Sequence, residues 1–290
     1  MTVIPLFKLP VLCINEILIH TDIISLVSLS LISRRSKRLV RTSKTSLAGF
    51  NIEIKNDVTQ VQFVTSEKED AGSWFFKIEE KESGGGEVIE MRRPFYMGFN
   101  ESDNLLIKGE KTIENDDLKS IMENLTVKNQ LALMIPTSTS FECNMNIFKF
   151  KQLVCLDKKN SGHLITREVL MSLKCTLMQF HHTLLEADDV MPFFERWYHS
   201  DDTEFTILLV KTDKSFAGMN FDRFHPTQWN PEQRGPKFLY TPRLAFDCTR
   251  GMDIMRKDGL LCTVDNRINV LIFAVWHNRF HDVSGVSKNR

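Results

Sequence analysis

The sequence predicts an α+β protein in three parts: three short helices, an α/β region of repeating β–α units, and a C-terminal β-hairpin or sheet. Three observations support this prediction. Apolar residues recur at helical spacing near the N-terminus, and apolar runs recur at nearly regular intervals in the middle of the chain. Near the C-terminus, strand-like runs flank tight-turn sequences. The 290 residues suffice for one large domain or two modest ones.

The N-terminal helices are predicted from capping residues and apolar periodicity. Pro10 suits the first turn of a helix, because its missing N–H would lack a partner there in any case. Ile14, Ile17 and Leu18 then share one helical face, and Asp22 with its preceding threonine offers a cap for a second helix. A third helix follows with a strongly basic outer face. Three short helices bury little surface alone, so we expect this block to dock on a partner.

Strands are expected between the helical block and residue 100. Residues 51–55 and 58–64 alternate polar and apolar side chains, as half-buried strands do, and residues 74–78 are similar. Residues 83–86 (Ser-Gly-Gly-Gly) interrupt this pattern. A domain boundary there is the alternative, but we expect a hairpin loop, because strand-like sequence flanks these residues on both sides.

The middle of the chain contains a weak internal repeat. Residues 116–125 and 188–197 each have two acidic residues, followed by apolar residues at the third, sixth, seventh and tenth positions. An acidic first turn favours the helix dipole, so both segments predict helices. Apolar runs begin at five nearly evenly spaced positions: Leu105, Leu131, Leu153, Leu177 and Phe205. This spacing predicts leucine-rich-repeat-like β–α units, although a plain α/β layer arrangement explains it almost as well.

The last fifty residues predict a terminal β element. Residues 252–255 and 260–264 flank Lys257-Asp258-Gly259, which is a good tight-turn sequence. Residues 269–276 form the next predicted strand, and residues 277–290 are expected to be a polar tail.

Composition and charge exclude several classes of function. The chain has 37 basic and 37 acidic residues, so it has no overall field that attracts nucleic acid or an anionic membrane. No apolar run reaches the ~18 residues that span a bilayer. Six scattered cysteines, without a C-x-x-C pair, predict small buried hydrophobes in a reducing compartment. We therefore expect a cytoplasmic or nuclear protein that binds neither nucleic acid nor membrane.

Residues in the first 45 positions occur in a recognisable order: Leu9, Pro10, Ile17, Leu18, Leu26, Leu29, Ile32, Ser33, Arg34 and Leu39. With the run at residues 28–40, this order resembles the F-box family, especially the nematode group in which an F-box precedes an F-box-associated domain. Leu12 stands where the family commonly has an acidic residue, and Ser36 where it commonly has a tryptophan. The C-terminal part is similar to the type-2 F-box-associated domain at four segments: residues 192–198, 205–209, 253–261 and 275–280.

The resemblance implies an F-box at residues 1–45 and a substrate-recruitment domain at 46–290. The second part would hold the repeat-like core at about 101–215 and the terminal β element at about 245–281. Together with Ile14, the residues expected to bind a Skp-type adaptor are Leu9, Pro10, Ile17, Leu18, Leu26, Leu29, Ile32, Ser33 and Leu39. The chain would reach a cullin through that adaptor and would bind a protein substrate, without a cofactor and without catalysis. The alternative is a Skp-binding scaffold that plays no part in ubiquitination.

Other residues invite sharper interpretations. The basic run at 34–41 is typical of a solvated helix face. The alternatives are a nuclear signal or nucleic-acid contact, and a contact with an acidic adaptor. His181 and His182 point to opposite faces of a strand, which argues against a shared metal ion. The paired aspartates that begin the repeated segments suit helix capping better than catalysis. Trp229, in a proline-punctuated loop, is a candidate exposed anchor for the substrate.

Overall fold

The structure is a computed structural model that describes ten parts of the chain: residues 6–42, 47–54, 58–65, 72–77, 101–109, 112–124, 126–143, 149–156, 161–241 and 244–280. Its helices are α1 (Val11–Ile19), α2 (Ile23–Ile32), α3 (Arg34–Thr42), α4 (Asn115–Asn124), α5 (Arg167–Ser172) and α6 (Ala187–His199). The first seven strands are β1 (Leu47–Ile54), β2 (Val58–Thr65), β3 (Gly72–Lys77), β4 (Glu101–Lys108), β5 (Thr126–Met134), β6 (Gln152–Cys155) and β7 (Leu177–Thr183). The others are β8 (Ile207–Thr212), β9 (Thr227–Gln228), β10 (Lys237–Thr241), β11 (Leu244–Asp247), β12 (Met252–Met255), β13 (Leu261–Asn266) and β14 (Val270–Trp276).

Twelve of the described strands form one mixed sheet. Its order is β3-β2-β1-β4-β5-β6-β7-β8-β14-β13-β12-β9. The six central strands, which are β1 and β4 to β8, are parallel and follow one another across the sheet in chain order, while the strands at both ends pair antiparallel. The α+β class and the three N-terminal helices are confirmed.

The repeating apolar runs become the parallel strands. Leu105, Leu131 and Leu153 are direct partners across β4, β5 and β6, and Leu177 lies in β7. The run expected from Phe205 begins as strand β8 slightly later, at Ile207. The repeated acidic segments form α4 and α6, each of which precedes the next strand of the sheet. This topology contains successive β–α units, whereas the specific likeness to leucine-rich repeats stays a prediction.

One row of paired residues crosses the sheet and defines its helix-covered face. The row runs through Val61, Ile52, Leu105, Leu131, Leu153, Met178, Leu208, Phe273 and Val264. From Leu105 to Val264 its side chains share one buried cluster with α4, α5 and α6. Val61 belongs to a second cluster, which it forms with α1 and α2. Both groups of helices therefore pack on the same face of the sheet.

The hairpin of β10 and β11 covers part of the opposite face. Phe238 of this hairpin is buried with Val154, Ile207 and Trp276 of the sheet, and its ring meets that of Trp276 edge-on at 5.2 Å. No strands were predicted in this segment from the sequence, although residues 238, 240 and 246 are aromatic. The hairpin closes a second, smaller core beneath the central strands.

The predicted terminal strands are confirmed as β12, β13 and β14, and Gly259 adopts a positive φ of 86° in the turn between the first two. They are not a separate element, however, because β14 pairs with β8 and continues the main sheet. A buried ion pair links β12 to the segment between β9 and β10. Both carboxylate oxygens of Asp253 accept a hydrogen bond from the Arg234 Nε, each at 2.9 Å. The Thr263 hydroxyl donates to the same carboxylate at 2.6 Å.

The predicted strands after the helical block are confirmed as β1, β2 and β3. The predicted hairpin loop at 83–86 and the end of the predicted tail, 281–290, lie outside the described residues. So does the predicted domain boundary between residues 45 and 46.

Candidate partner-binding surface of the N-terminal helices

The inner side of the N-terminal helices packs on the sheet of the same chain. Ile14, Leu18 and Leu26 are each at most 3% exposed, and they form one cluster with Val61 and Phe63 of β2. Positions 14 and 18 lie one turn apart on α1, so a single stripe of that helix faces the sheet. These three residues therefore contribute to the chain's own core.

The outer side of the same helices exposes large apolar side chains. Within the described residues, nine large apolar side chains are exposed, and five of them lie in α1 and α2. Those five, with their exposed fractions, are Val11 (63%), Leu12 (79%), Ile17 (44%), Ile19 (43%) and Ile32 (73%). Scattered exposed apolar residues are ordinary, but here more than half of those described lie on two consecutive helices. We call these five residues the apolar patch.

The local sequence of α1 explains the patch. Seven of its nine residues are aliphatic or cysteine, so the helix has apolar side chains around most of its circumference. A helix of this kind is expected to be buried on more than one side. The sheet covers only the side of Ile14 and Leu18, and the remaining apolar residues meet solvent.

Capping residues set the boundaries of α2 and α3. The carboxylate of Asp22 accepts the Ser25 backbone N–H at 2.9 Å, and hydrogen bonds from Ser25 lower the pKa of Asp22. The Ser33 hydroxyl accepts the Ser36 backbone N–H at 3.1 Å, and the two hydroxyls lie 2.8 Å apart. Ser36 is fully buried where the F-box family commonly has a tryptophan. The predicted cap at Asp22 is confirmed, and α3 begins directly after Ser33.

The structure divides the ten residues that the sequence proposes for adaptor binding into three groups. Pro10, Ile17, Ile32 and Ser33 are exposed; Leu9, Leu29 and Leu39 are half-buried; Ile14, Leu18 and Leu26 are buried. Sequence reasoning missed Val11, Leu12 and Ile19, although the nearly unbroken apolar run of α1 was the available signal. The exposed and half-buried members, together with the three that were missed, are therefore the ones that remain open to solvent.

Trp229 has a different environment from the one that the sequence suggests. The residue is partly buried, and its indole N–H donates to the carbonyl of Arg234 at 3.3 Å. It directly follows β9, the short strand at one edge of the sheet. The loop position is as expected, and a role in substrate binding stays a prediction.

The remaining chemical candidates take structural roles. The Asp189 carboxylate accepts the backbone N–H of Glu186 at 2.9 Å, which confirms the capping interpretation for α6. All six cysteines are free and four are buried; burial raises the pKa of Cys155 to about 12. No cluster of three potential metal ligands occurs among the described residues, and none of the described helices has the length and apolarity to span a membrane.

Comparison with known proteins agrees with the N-terminal geometry. The F-box domain family matches residues 6–46. A Caenorhabditis elegans protein described as uncharacterized is 31% identical over 137 residues, which is 44% of this chain and 32% of that protein. A second uncharacterized C. elegans protein is 22% identical over 171 residues, 56% of this chain and 39% of that protein. No solved structure matches the chain.

The matched regions thus span about a third of the first relative and about two fifths of the second. An F-box supports a Skp-binding adaptor role in general, and proteins with this domain are typically non-catalytic. The likeness to a type-2 F-box-associated domain has no counterpart in these comparisons and stays a prediction. Residues 6–46 are an F-box domain, and the homology to the C. elegans proteins is as expected for a nematode-type F-box protein.

Proposed function

We propose that the chain is the substrate-recognition adaptor of a Skp–cullin–F-box ubiquitin ligase. In this proposal the F-box binds a Skp-type subunit, the cullin is reached through that subunit, and residues 46–290 recruit a protein substrate. The observation that supports it is the apolar patch, which lies within the F-box match. The adaptor acts in the cytoplasm or nucleus and needs no cofactor, because its task is to raise the local concentration of substrate beside a transferase.

The energetics of docking support the patch as the contact surface. Burial of one large aliphatic side chain contributes roughly 1.5–3 kcal/mol of gross stabilisation. Several such residues outweigh the several kcal/mol that association costs in lost translational and rotational freedom. Leu12 and Ile32 have the most to gain, since they are the most exposed members of the patch.

Two isoleucines provide a matched test. Ile32 and Ile268 are both 73% exposed, but Ile32 ends α2 and Ile268 lies between β13 and β14. Binding of the full chain to a purified Skp-type subunit is measured for the wild type, Ile32→Asp and Ile268→Asp. We expect Ile32→Asp to weaken binding at least tenfold, because a carboxylate would be desolvated at the interface, and Ile268→Asp to bind like the wild type.

The same variants test the role in ubiquitination. In cell extracts, the wild type and Ile268→Asp should precipitate a cullin together with the Skp-type subunit, and Ile32→Asp should precipitate neither. Equal recovery of the Skp-type subunit by all three chains would contradict the proposed surface. Recovery of that subunit without any cullin would favour a scaffold with no part in ubiquitination.

A further inference from the structure

Helix α3 has two chemically different sides. Ser36 is fully buried, and Leu39 and Val40 are partly buried against the N-terminal core. Arg34 and Arg38 lie one turn apart on the opposite side, and both are exposed. Arg35 and Lys37 flank them, with Arg35 exposed and Lys37 half-buried. We call these four cations the basic face of α3.

The positive charge of this face is local, and no salt bridge within the described residues compensates it. Residues 6–42 contain six basic and two acidic side chains, a net charge of +4, although the whole chain has a formal charge of zero. None of the four cations forms a salt bridge within the described part of the chain. Arg35 contacts the ring of Phe7, with its guanidinium carbon 5.1 Å from the ring centre, and this contact neutralises no charge. An anionic partner is the chemistry that this surface fits.

We infer that the basic face of α3 docks against an acidic surface of the same Skp-type subunit that covers the apolar patch. This inference rests on the proposed function. The basic face and the patch are continuous along the chain, because exposed Ile32 is followed by Ser33 and then by Arg34. A protein surface offers carboxylates beside apolar groups, whereas a nucleic-acid backbone would leave Ile32 uncovered.

The two parts of the interface would contribute differently to binding. Complementary charges at the rim of an interface accelerate association more than they strengthen the final complex. Their effect also disappears as salt shortens the Debye length from ~30 Å at 0.01 M to ~3 Å at 1 M. The apolar patch would determine how slowly the complex dissociates, and the basic face how fast it forms.

The test measures association and dissociation rates of the full chain with a purified Skp-type subunit between about 20 mM and 500 mM salt. The variant Arg34→Ala/Arg38→Ala removes two exposed cations from the side of α3 opposite the buried Ser36. Lys174→Ala/Lys257→Ala is the matched control, because it removes two exposed cations from loops after α5 and β12. We expect the first variant to associate roughly three- to tenfold more slowly at low salt and like the wild type at high salt, with an unchanged dissociation rate. The control should follow the wild type throughout.

The binding measurements separate docking of the basic face from binding of the Skp-type subunit as such. A wild type that does not bind the subunit at any salt concentration refutes both. A wild type that binds, with equal association rates for Arg34→Ala/Arg38→Ala, overturns only the docking of the basic face. A third measurement uses retention of the wild type and Arg34→Ala/Arg38→Ala on immobilised double-stranded DNA and on RNA. Retention that the substitution abolishes, with unchanged association to the subunit, would assign the face to nucleic acid and overturn the inference.

Discussion

The two sides of α1 should respond differently to the same substitution. Leu18 is 1% exposed and packs in the cluster that contains Val61 and Phe63, whereas Leu12 is 79% exposed and has most of its side chain in solvent. Leu18→Ala and Leu12→Ala remove the same atoms from the same helix. Any difference between the two variants therefore reports the environment of the residue, not its intrinsic helix propensity.

The expected magnitudes follow from burial. Leu18→Ala opens a cavity in the cluster that α1 shares with α2 and β2 and should lower the free energy of unfolding by about 2–5 kcal/mol. Leu12→Ala should change it by less than about 0.5 kcal/mol, as exposed substitutions usually do. For binding to the Skp-type subunit, the order of the two variants reverses. Leu12→Ala should weaken the complex roughly tenfold, because about 1.4 kcal/mol of apolar burial corresponds to that factor.

Two measurements on the free chain and one on the complex test this contrast. Urea denaturation gives the free energy of unfolding, and amide hydrogen exchange of residues 11–19 reports the local opening of α1. Binding of the folded fraction to the Skp-type subunit is titrated for each variant. Equal destabilisation by the two substitutions would refute the two-sided helix. Unchanged binding by Leu12→Ala would remove that residue from the interface.

Two further predictions concern the sheet, and urea denaturation measures both. Asp253→Ala should lower the free energy of unfolding by about 3–5 kcal/mol, because it leaves the fully buried Arg234 guanidinium without its carboxylate partner. A decrease of less than about 1 kcal/mol would show that the pair is dispensable. Gly162→Ala should lower the free energy of unfolding by about 1–3 kcal/mol or more, because the added methyl group would overlap the carbonyl oxygen of His182. Gly218→Ala is its control, since a methyl group there meets no atom within 4 Å, and equal costs for the two glycines would contradict the close approach.

Local patterns were sufficient to predict most of the elements. Strand alternation predicted β1 and β2, and the acidic first turns predicted α4 and α6, because these signals depend on neighbouring residues only. The spacing of the apolar runs predicted the parallel strands, since each run fills the same place in its own β–α unit. The F-box resemblance predicted the family of residues 6–46 from the order of a small set of side chains.

Long-range pairing could not be predicted in the same way. The sequence between residues 252 and 276 predicts three strands, but nothing local indicates that β14 pairs with β8 rather than forming a separate element. The β10–β11 hairpin was missed although Phe238, Tyr240 and Phe246 alternate with other residues in its strands. Its aromatic residues become interpretable only when the sheet face that they cover is known.

The division of the N-terminal apolar residues between core and surface depends on a contact far along the chain. The sequence suggests that the helices form an incomplete core, which a partner completes. The structure shows that Val61 and Phe63, on a strand that follows all three helices, complete one side of that core within the chain itself. Helix α1 lacks a clear polar side because it faces two apolar environments in the proposed complex. The cluster with Val61 and Phe63 accounts for Ile14 and Leu18, and in the proposed complex the Skp-type subunit accounts for Val11 and Leu12. The exposed residues, not the buried ones, are therefore where a Skp-type subunit must make contact if the proposed function is correct.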